Sequence, residues 1–123
     1  MPDKKRILIV EDSPDIRNIL KVRFIINGYI VLTAEDGQQG LDMTKSEKPD
    51  LVILDLMLPK INGFEVCRMV KFDEELKNIP VIILSALDQQ EDREKALKGG
   101  ADAYFIKPFD LDLLLTKIKS FLS

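Results

Sequence analysis

PDLVILDLMLPKINGF, residues 49–64, contains the run on which the fold turns: Leu51, Val52, Ile53 and Leu54 are all apolar, and Asp55 closes them abruptly. Continuous rather than alternating apolarity marks a strand buried on both faces, as in parallel sheets covered by helices. Pro49-Asp50 introduces the run and Met57-Leu58-Pro59 turns the chain away from it. Gly63 then leads into a helical segment from about Phe64 to Phe72. An aspartate that follows so apolar a strand is no ordinary surface-loop residue. Asp50, five residues earlier, is its internal control: at strand rise it lies roughly 16 Å away on the opposite edge and reads as a solvated strand start.

The same grammar recurs outward from this stretch. Arg6 to Val10 ends at Glu11-Asp12, Val81 to Leu84 at Ser85, and Ala103 to Ile106 at Lys107, while Ile30 to Thr33 supplies a fifth strand. Helical signals separate the strands. Ser13-Pro14 reads as an N-cap with proline in the first turn, and Ile16, Ile19, Leu20 and Phe24 follow at helical spacing up to Asn27-Gly28. Asp36-Gly37 opens a short helix containing Leu41. Gly40 inside it costs about 1 kcal/mol relative to alanine, so this helix is expected to be the softest. A polar helix from about Gln89 to Lys98 ends at Gly99-Gly100. Asp110 caps a last helix whose stripe is Leu111, Leu114, Leu115, Ile118 and Leu122. Five strand–helix alternations predict an α/β fold with a parallel sheet, one domain over residues 1–123.

Composition narrows the chemistry. A chain of 123 residues with 46% hydrophobic and 32% charged side chains can bury a core without disulfides or structural metal. Its net charge of −3 gives no reason to expect direct nucleic-acid or anionic-membrane binding. Lys4, Lys5 and Arg6 read as a solvated approach to the first strand. The single cysteine, Cys67, precludes an internal disulfide, and its neighbours Phe64, Val66 and Val70 place it on a buried helix face as an inert thiol. There is no histidine, which removes Ser-His-Asp and Cys-His catalysis, imidazole zinc sites and any role as a phosphohistidine donor. The N-terminus is charged and the first apolar run is short, so no signal peptide or membrane span is expected, and the location expected is cytoplasmic.

Strands of an open parallel sheet all end on one edge, so Glu11, Asp12, Asp55, Ser85 and Lys107 are predicted to converge there. Three carboxylates packed together resist joint ionisation unless a positive charge sits among them. A hard divalent cation such as Mg2+ answers that need with oxygen ligands and often completes its shell with phosphate; Lys107 adds a second positive charge. An aspartate carboxylate can attack phosphorus to give an acyl phosphate, and catalysis then rests on positioning and charge neutralisation. Asp55 is the candidate nucleophile, with Lys107 and the Ser85 hydroxyl directed at phosphoryl oxygens. Proline after Lys107 allows a cis peptide. Tyr104 reads as a half-buried core ring with its hydroxyl wet.

Five segments together resemble the receiver domain of two-component response regulators over essentially the whole chain: ILIVEDSP (7–14), AEDGQQGL (34–41), PDLVILDLMLPKINGFEVC (49–67), IPVIILSA (79–86) and GADAYFIKPF (100–109). The resemblance implies a flavodoxin-like (βα)5 three-layer sandwich with a five-stranded sheet of order 2-1-3-4-5. It implies Asp55 as phosphoacceptor, served by a histidine kinase or histidine phosphotransfer protein. It implies Glu11, Asp12, Asp55 and the Met57 backbone carbonyl as the Mg2+ site, with Mn2+ as a substitute. Ser85 becomes the switch hydroxyl, Lys107 the phosphate-binding lysine and Tyr104 the switch aromatic. Phosphorylation is then expected to alter the surface of helix 4, strand 5 and helix 5 and so change the binding of an output protein or domain, the self-catalysed steps being the only chemistry. Ala103 and Leu113 stand where receivers joined to winged-helix DNA-binding domains carry acidic residues of a charged dimer face. That weakens the expectation of that particular dimer and leaves another phosphorylation-dependent homodimer open. Met57 and Leu87 flank the expected path of water and carry no base, so slow to moderate self-dephosphorylation is expected. Three other readings fit less well, the first being a pseudo-receiver used only as a docking surface, which the complete set of pocket residues disfavours. A haloacid dehalogenase-type phosphatase needs a second aspartate two residues after the nucleophile, where Met57 stands. A flavin-binding carrier needs a hydroxyl- and glycine-rich phosphate loop where this chain has EDSPD.

Overall fold

In the computed structural model, which describes residues 4–122, β1 (Arg6–Val10) lies at the centre of the chain's logic. It pairs in parallel with β2 (Ile30–Ala34) on one side and β3 (Leu51–Leu54) on the other; β3 pairs with β4 (Val81–Ser85), and β4 with β5 (Ala103–Ile106). The sheet order is therefore β2-β1-β3-β4-β5, as expected. Five helices cover it: α1 (Pro14–Ile26), α2 (Gly37–Glu47), α3 (Gly63–Lys71), α4 (Gln90–Lys98) and α5 (Leu111–Leu122). Residues 1–3 and 123, the ends of the expected 1–123 span, lie outside the described residues.

Alternate side chains along each strand enter opposite cores, which explains the absence of a polar face. Leu8, Val10, Val52, Leu54, Val81 and Ile83 pack with Val66, Val70 and Ala96 beneath α3 and α4. Ile7, Ile9, Ile53, Ile82 and Leu84 meet Leu20 and Phe24 of α1 and Leu114 and Ile118 of α5. Each such side chain, fully withdrawn from water, contributes roughly 1.5–3 kcal/mol relative to exposure. Helix starts are capped by short polar side chains: Ser13 accepts from the Ile16 amide, Asp36 from Gln39, Asn62 from Glu65 and Asp110 from Leu113. Cys67 is buried as expected, and burial pushes its thiol up to about 11. No helix among the described residues is long and apolar enough to cross a membrane.

Several boundaries move. Strand 4 includes Ser85, because the Lys107 amide donates to the Ser85 carbonyl at 2.8 Å and carries the ladder one residue further. Strand 2 continues to Ala34, whose carbonyl accepts from Glu11, and α3 and α4 begin at Gly63 and Gln90. Leu111 and Leu122 of the α5 stripe are only half-buried. Asp50 is not merely solvated: its Oδ2 accepts from the Arg6 amide at 2.8 Å and ties the entering ends of β1 and β3 together.

Gly40 also reads differently in three dimensions. A Cβ at this position would lie 2.7 Å from Val10 Cγ1 and 2.9 Å from Cγ2, so the missing side chain is what lets α2 approach β1. Gly40→Ala is therefore expected to destabilise the fold by about 1–3 kcal/mol through overpacking, despite alanine's better helix propensity. Urea denaturation of Gly40→Ala with and without Val10→Ala checks this. Partial recovery in the pair is expected, whereas a neutral or stabilising single change would mean that propensity outweighs the contact.

Candidate functional site

At the carboxyl edge of the sheet the hydrogen-bond ladders run past the strands and fix the backbone of the polar residues. The Asp55 amide donates to the Val10 carbonyl and the Glu11 amide to that of Ala34, each at 3.1 Å. Residues 11, 12, 55 and 107, distant in sequence, thereby share one rim. Lys107 Nζ bridges two of the acids, 2.5 Å from Glu11 Oε1 and 3.0 Å from Asp55 Oδ2. One carboxylate oxygen from each of Glu11, Asp12 and Asp55 lies within 4.8 Å of the others. Glu11 and Asp55 are 3% and 6% exposed, while Asp12 faces solvent. The Lys107–Pro108 peptide is cis.

Loop amides hold the two buried acids from the other side. Glu11 Oε2 accepts from the Ser13 amide and Asp55 Oδ1 from that of Met57, both at 3.1 Å. The Met57 side chain itself points outward and is largely exposed. Below Asp55, a Cβ on Gly63 would collide with the Asp55 carbonyl oxygen and the Leu56 Cα, so only glycine lets α3 begin directly against the acid's own backbone. Burial pushes the Glu11 carboxyl above its usual range; the Lys107 and Ser13 bonds pull it down and the Asp55 charge adds to the rise, with the upward shift prevailing. Burial alone would lower the Lys107 ammonium, but its bonds to Glu11 and Asp55 outweigh that and hold it above the ordinary lysine value.

Ser85 is fully buried at the same edge, and its Oγ accepts from the Leu87 amide at 3.4 Å. Tyr104 departs from expectation. Its ring is buried rather than half-buried, at 8% exposure, and its hydroxyl donates to the Leu87 carbonyl at 2.7 Å. Burial, with the charges of Asp92 and Asp55, raises its phenol. Ser85 and Tyr104 are thus joined through one residue of the β4–α4 loop, a link that neither side chain announces in sequence. Arg17 was equally hidden, because a lone arginine in the second turn of a helix reads as solvated surface. Its Nη1 in fact donates to the Glu11 carbonyl at 2.9 Å. A separate cleft of about 460 Å³ between α3 and α4, lined by Phe64, Arg68, Phe72 and Lys95 among others, holds none of the rim residues.

Comparison with known proteins agrees with this fold. The family model described as the response regulator receiver domain matches residues 7–119. The DNA-binding dual master transcriptional regulator RpaA of Synechocystis is 41% identical over 117 residues, covering 95% of this chain and 48% of that protein. The response regulator ArlR of Staphylococcus aureus is 43% identical over 117 residues, 95% of this chain and 52% of its own length. The chain thus spans about half the length of these curated relatives. Among solved structures, the receiver domain of the Francisella response regulator 1452 superposes with a TM-score of 0.88 at 31% identity, covering 96% of each chain. Chemotaxis protein CheY4 of Vibrio cholerae gives 0.89 at 28%, covering 97% of this chain and 99% of that one. With five parallel strands in the order 2-1-3-4-5 and this family match over most of its length, the chain belongs to the response regulator receiver domains, the signal-transduction modules of two-component systems.

Proposed function

We propose that this domain is a phosphoacceptor whose Asp55 takes a phosphoryl group from a histidine kinase or a histidine phosphotransfer protein. The observation that carries the reading is the Lys107 ammonium bridging Glu11 and Asp55 beside the Asp12 carboxylate. Three carboxylates against one ammonium leave two negative charges uncompensated in a half-buried rim, which matches the charge and oxygen preference of one divalent cation. Glu11, Asp12 and Asp55, with the Met57 carbonyl, would hold Mg2+, or Mn2+ in its place. Bound there, the ion would supply charge neutralisation to the phosphoryl oxygens.

The chain's own groups account for the remainder. A carboxylate oxygen of Asp55 forms a bond to phosphorus while the phosphorus–nitrogen bond of the donor phosphohistidine breaks, and the departing imidazole takes up a proton. Lys107 follows the charge, exchanging part of its contact with Asp55 for a phosphoryl oxygen. Ser85, buried beside the rim, offers its hydroxyl to another. Its motion would pull on Leu87, whose carbonyl holds the Tyr104 hydroxyl. The β4–α4 loop and Tyr104 would then couple the phosphoryl group to the face of α4, β5 and α5, where an output protein or domain binds. The size of that population shift is limited by how much more strongly the phosphoryl contacts favour one arrangement over the other. The domain extends over residues 1–123, and no reaction on a separate substrate is proposed.

Incubation with acetyl phosphate and Mg2+ followed by intact mass measurement is expected to give one phosphoryl adduct on the wild type. None is expected on Asp55→Asn or after chelation of divalent ions; an equal adduct on Asp55→Asn would remove Asp55 from its role.

The raised Glu11 carboxyl has a pH signature. A carboxyl whose folded value lies above its unfolded 4.5 favours folding fully below 4.5 and loses that contribution as pH rises through the folded value. Without divalent ions, Glu11→Gln is therefore expected to be more stable than wild type at pH 7, with the gap closing as pH falls towards 4.5. Thermal melts across that window check the sign, and a gap that widens on acidification would reverse it.

A further inference from the structure

We propose that Arg17 is a positioning residue for divalent-cation binding at the acidic rim, an inference that rests on the metal reading above. Glu11 and Asp55 are each held by Lys107 and by a loop amide, but no donor among the described residues reaches the exposed Asp12 carboxylate. The backbone of Asp12 begins at the peptide that joins it to Glu11. That peptide's carbonyl, on Glu11, accepts from Arg17 Nη1 at 2.9 Å, while the Glu11 amide is fixed on the Ala34 carbonyl. Arg17 is itself anchored. Its own amide donates to the carbonyl of Ser13, the N-cap of α1, its side chain is 18% exposed, and Nη2 lies 3.5 Å from Glu35 Oε1 just after β2.

Lys107, the cation on the carboxylates, and Arg17, whose charge faces Glu35, therefore act differently. Lys107 neutralises by occupying carboxylate oxygens, in competition with an entering ion. Arg17 places its charge behind the cluster on a backbone carbonyl and leaves the carboxylate oxygens open. Partners of this kind orient ligands they do not replace, and their loss weakens metal binding without abolishing the fold. The Glu35 contact is solvent-exposed on the acid's side, at 70%, and anchors little.

Amide NMR titration of the unphosphorylated protein with Mg2+ tests this without any phosphoryl transfer. Arg17→Met, which keeps the aliphatic stem, is expected to raise the Mg2+ Kd by about 10-fold. Arg17→Lys, which keeps a charge and a donor, should recover most of the affinity, and Glu35→Gln should bind as wild type does. Thermal melts with and without Mg2+ separate positioning from stability: a merely structural role lowers both melts equally, whereas positioning shrinks the increment that Mg2+ adds. Wild-type affinity in Arg17→Met, or an undiminished Mg2+ increment, overturns the inference. Should Arg17→Met not fold, Arg17→Gln is judged by the same two readouts. A wild type whose amides at 11, 12 and 55–57 do not respond to Mg2+ would instead sink the metal reading itself.

Discussion

Three carboxylates on one rim of a sheet repel each other, and a single ammonium, that of Lys107, holds two of them in place. Every other feature of the rim follows from keeping that arrangement intact. The strands must end in register for the acids to meet, and they do so because each is apolar on both faces and cannot slip by one residue without exchanging its two cores. The ladder bonds that continue beyond β1, β3 and β5 then fix the backbone under Glu11, Asp55 and Lys107. A stable, nearly featureless core thus serves a rim that is electrostatically unfavourable by itself, the usual relation between a rigid scaffold and a site whose groups conflict.

The rim has two shells with different tasks. The inner one, Glu11, Asp12, Asp55 and Lys107, carries the charge imbalance on which the proposed metal and phosphoryl chemistry rests. Around it, Gly63 leaves room for the Asp55 backbone, Arg17 grips the Glu11 carbonyl, and Leu87 connects Ser85 to Tyr104. In the function proposed above, the link through Leu87 is the route by which an event at Asp55 reaches the α4–β5–α5 face. Along that face Ala103 and Leu113 are uncharged, and Leu113 is exposed.

Much of this was legible in the sequence. The four apolar residues before Asp55 announce a strand covered on both faces, and the polar residue after each of four such runs announces a shared edge. Those signals are local and obey simple periodicities. What stayed hidden depends on contacts between distant backbone atoms. Gly40 reads as a helix weakness because its neighbour Val10 lies on another element. Asp50 reads as solvated because its partner is the amide of Arg6. The tie of Tyr104 to the β4–α4 loop stays hidden because its acceptor is a backbone carbonyl, which has no residue type to betray it. Arg17 escapes for the same reason.

The claim at the centre is that the charge imbalance of the rim prepares one particular carboxylate for phosphorus. Borohydride reduction of the phosphorylated protein, which converts an acyl-phosphorylated aspartate to homoserine, followed by peptide mass mapping, tests it most directly. The account predicts homoserine at position 55 alone. Homoserine at position 12 in place of 55 would contradict it, as would a phosphoryl group that resists reduction.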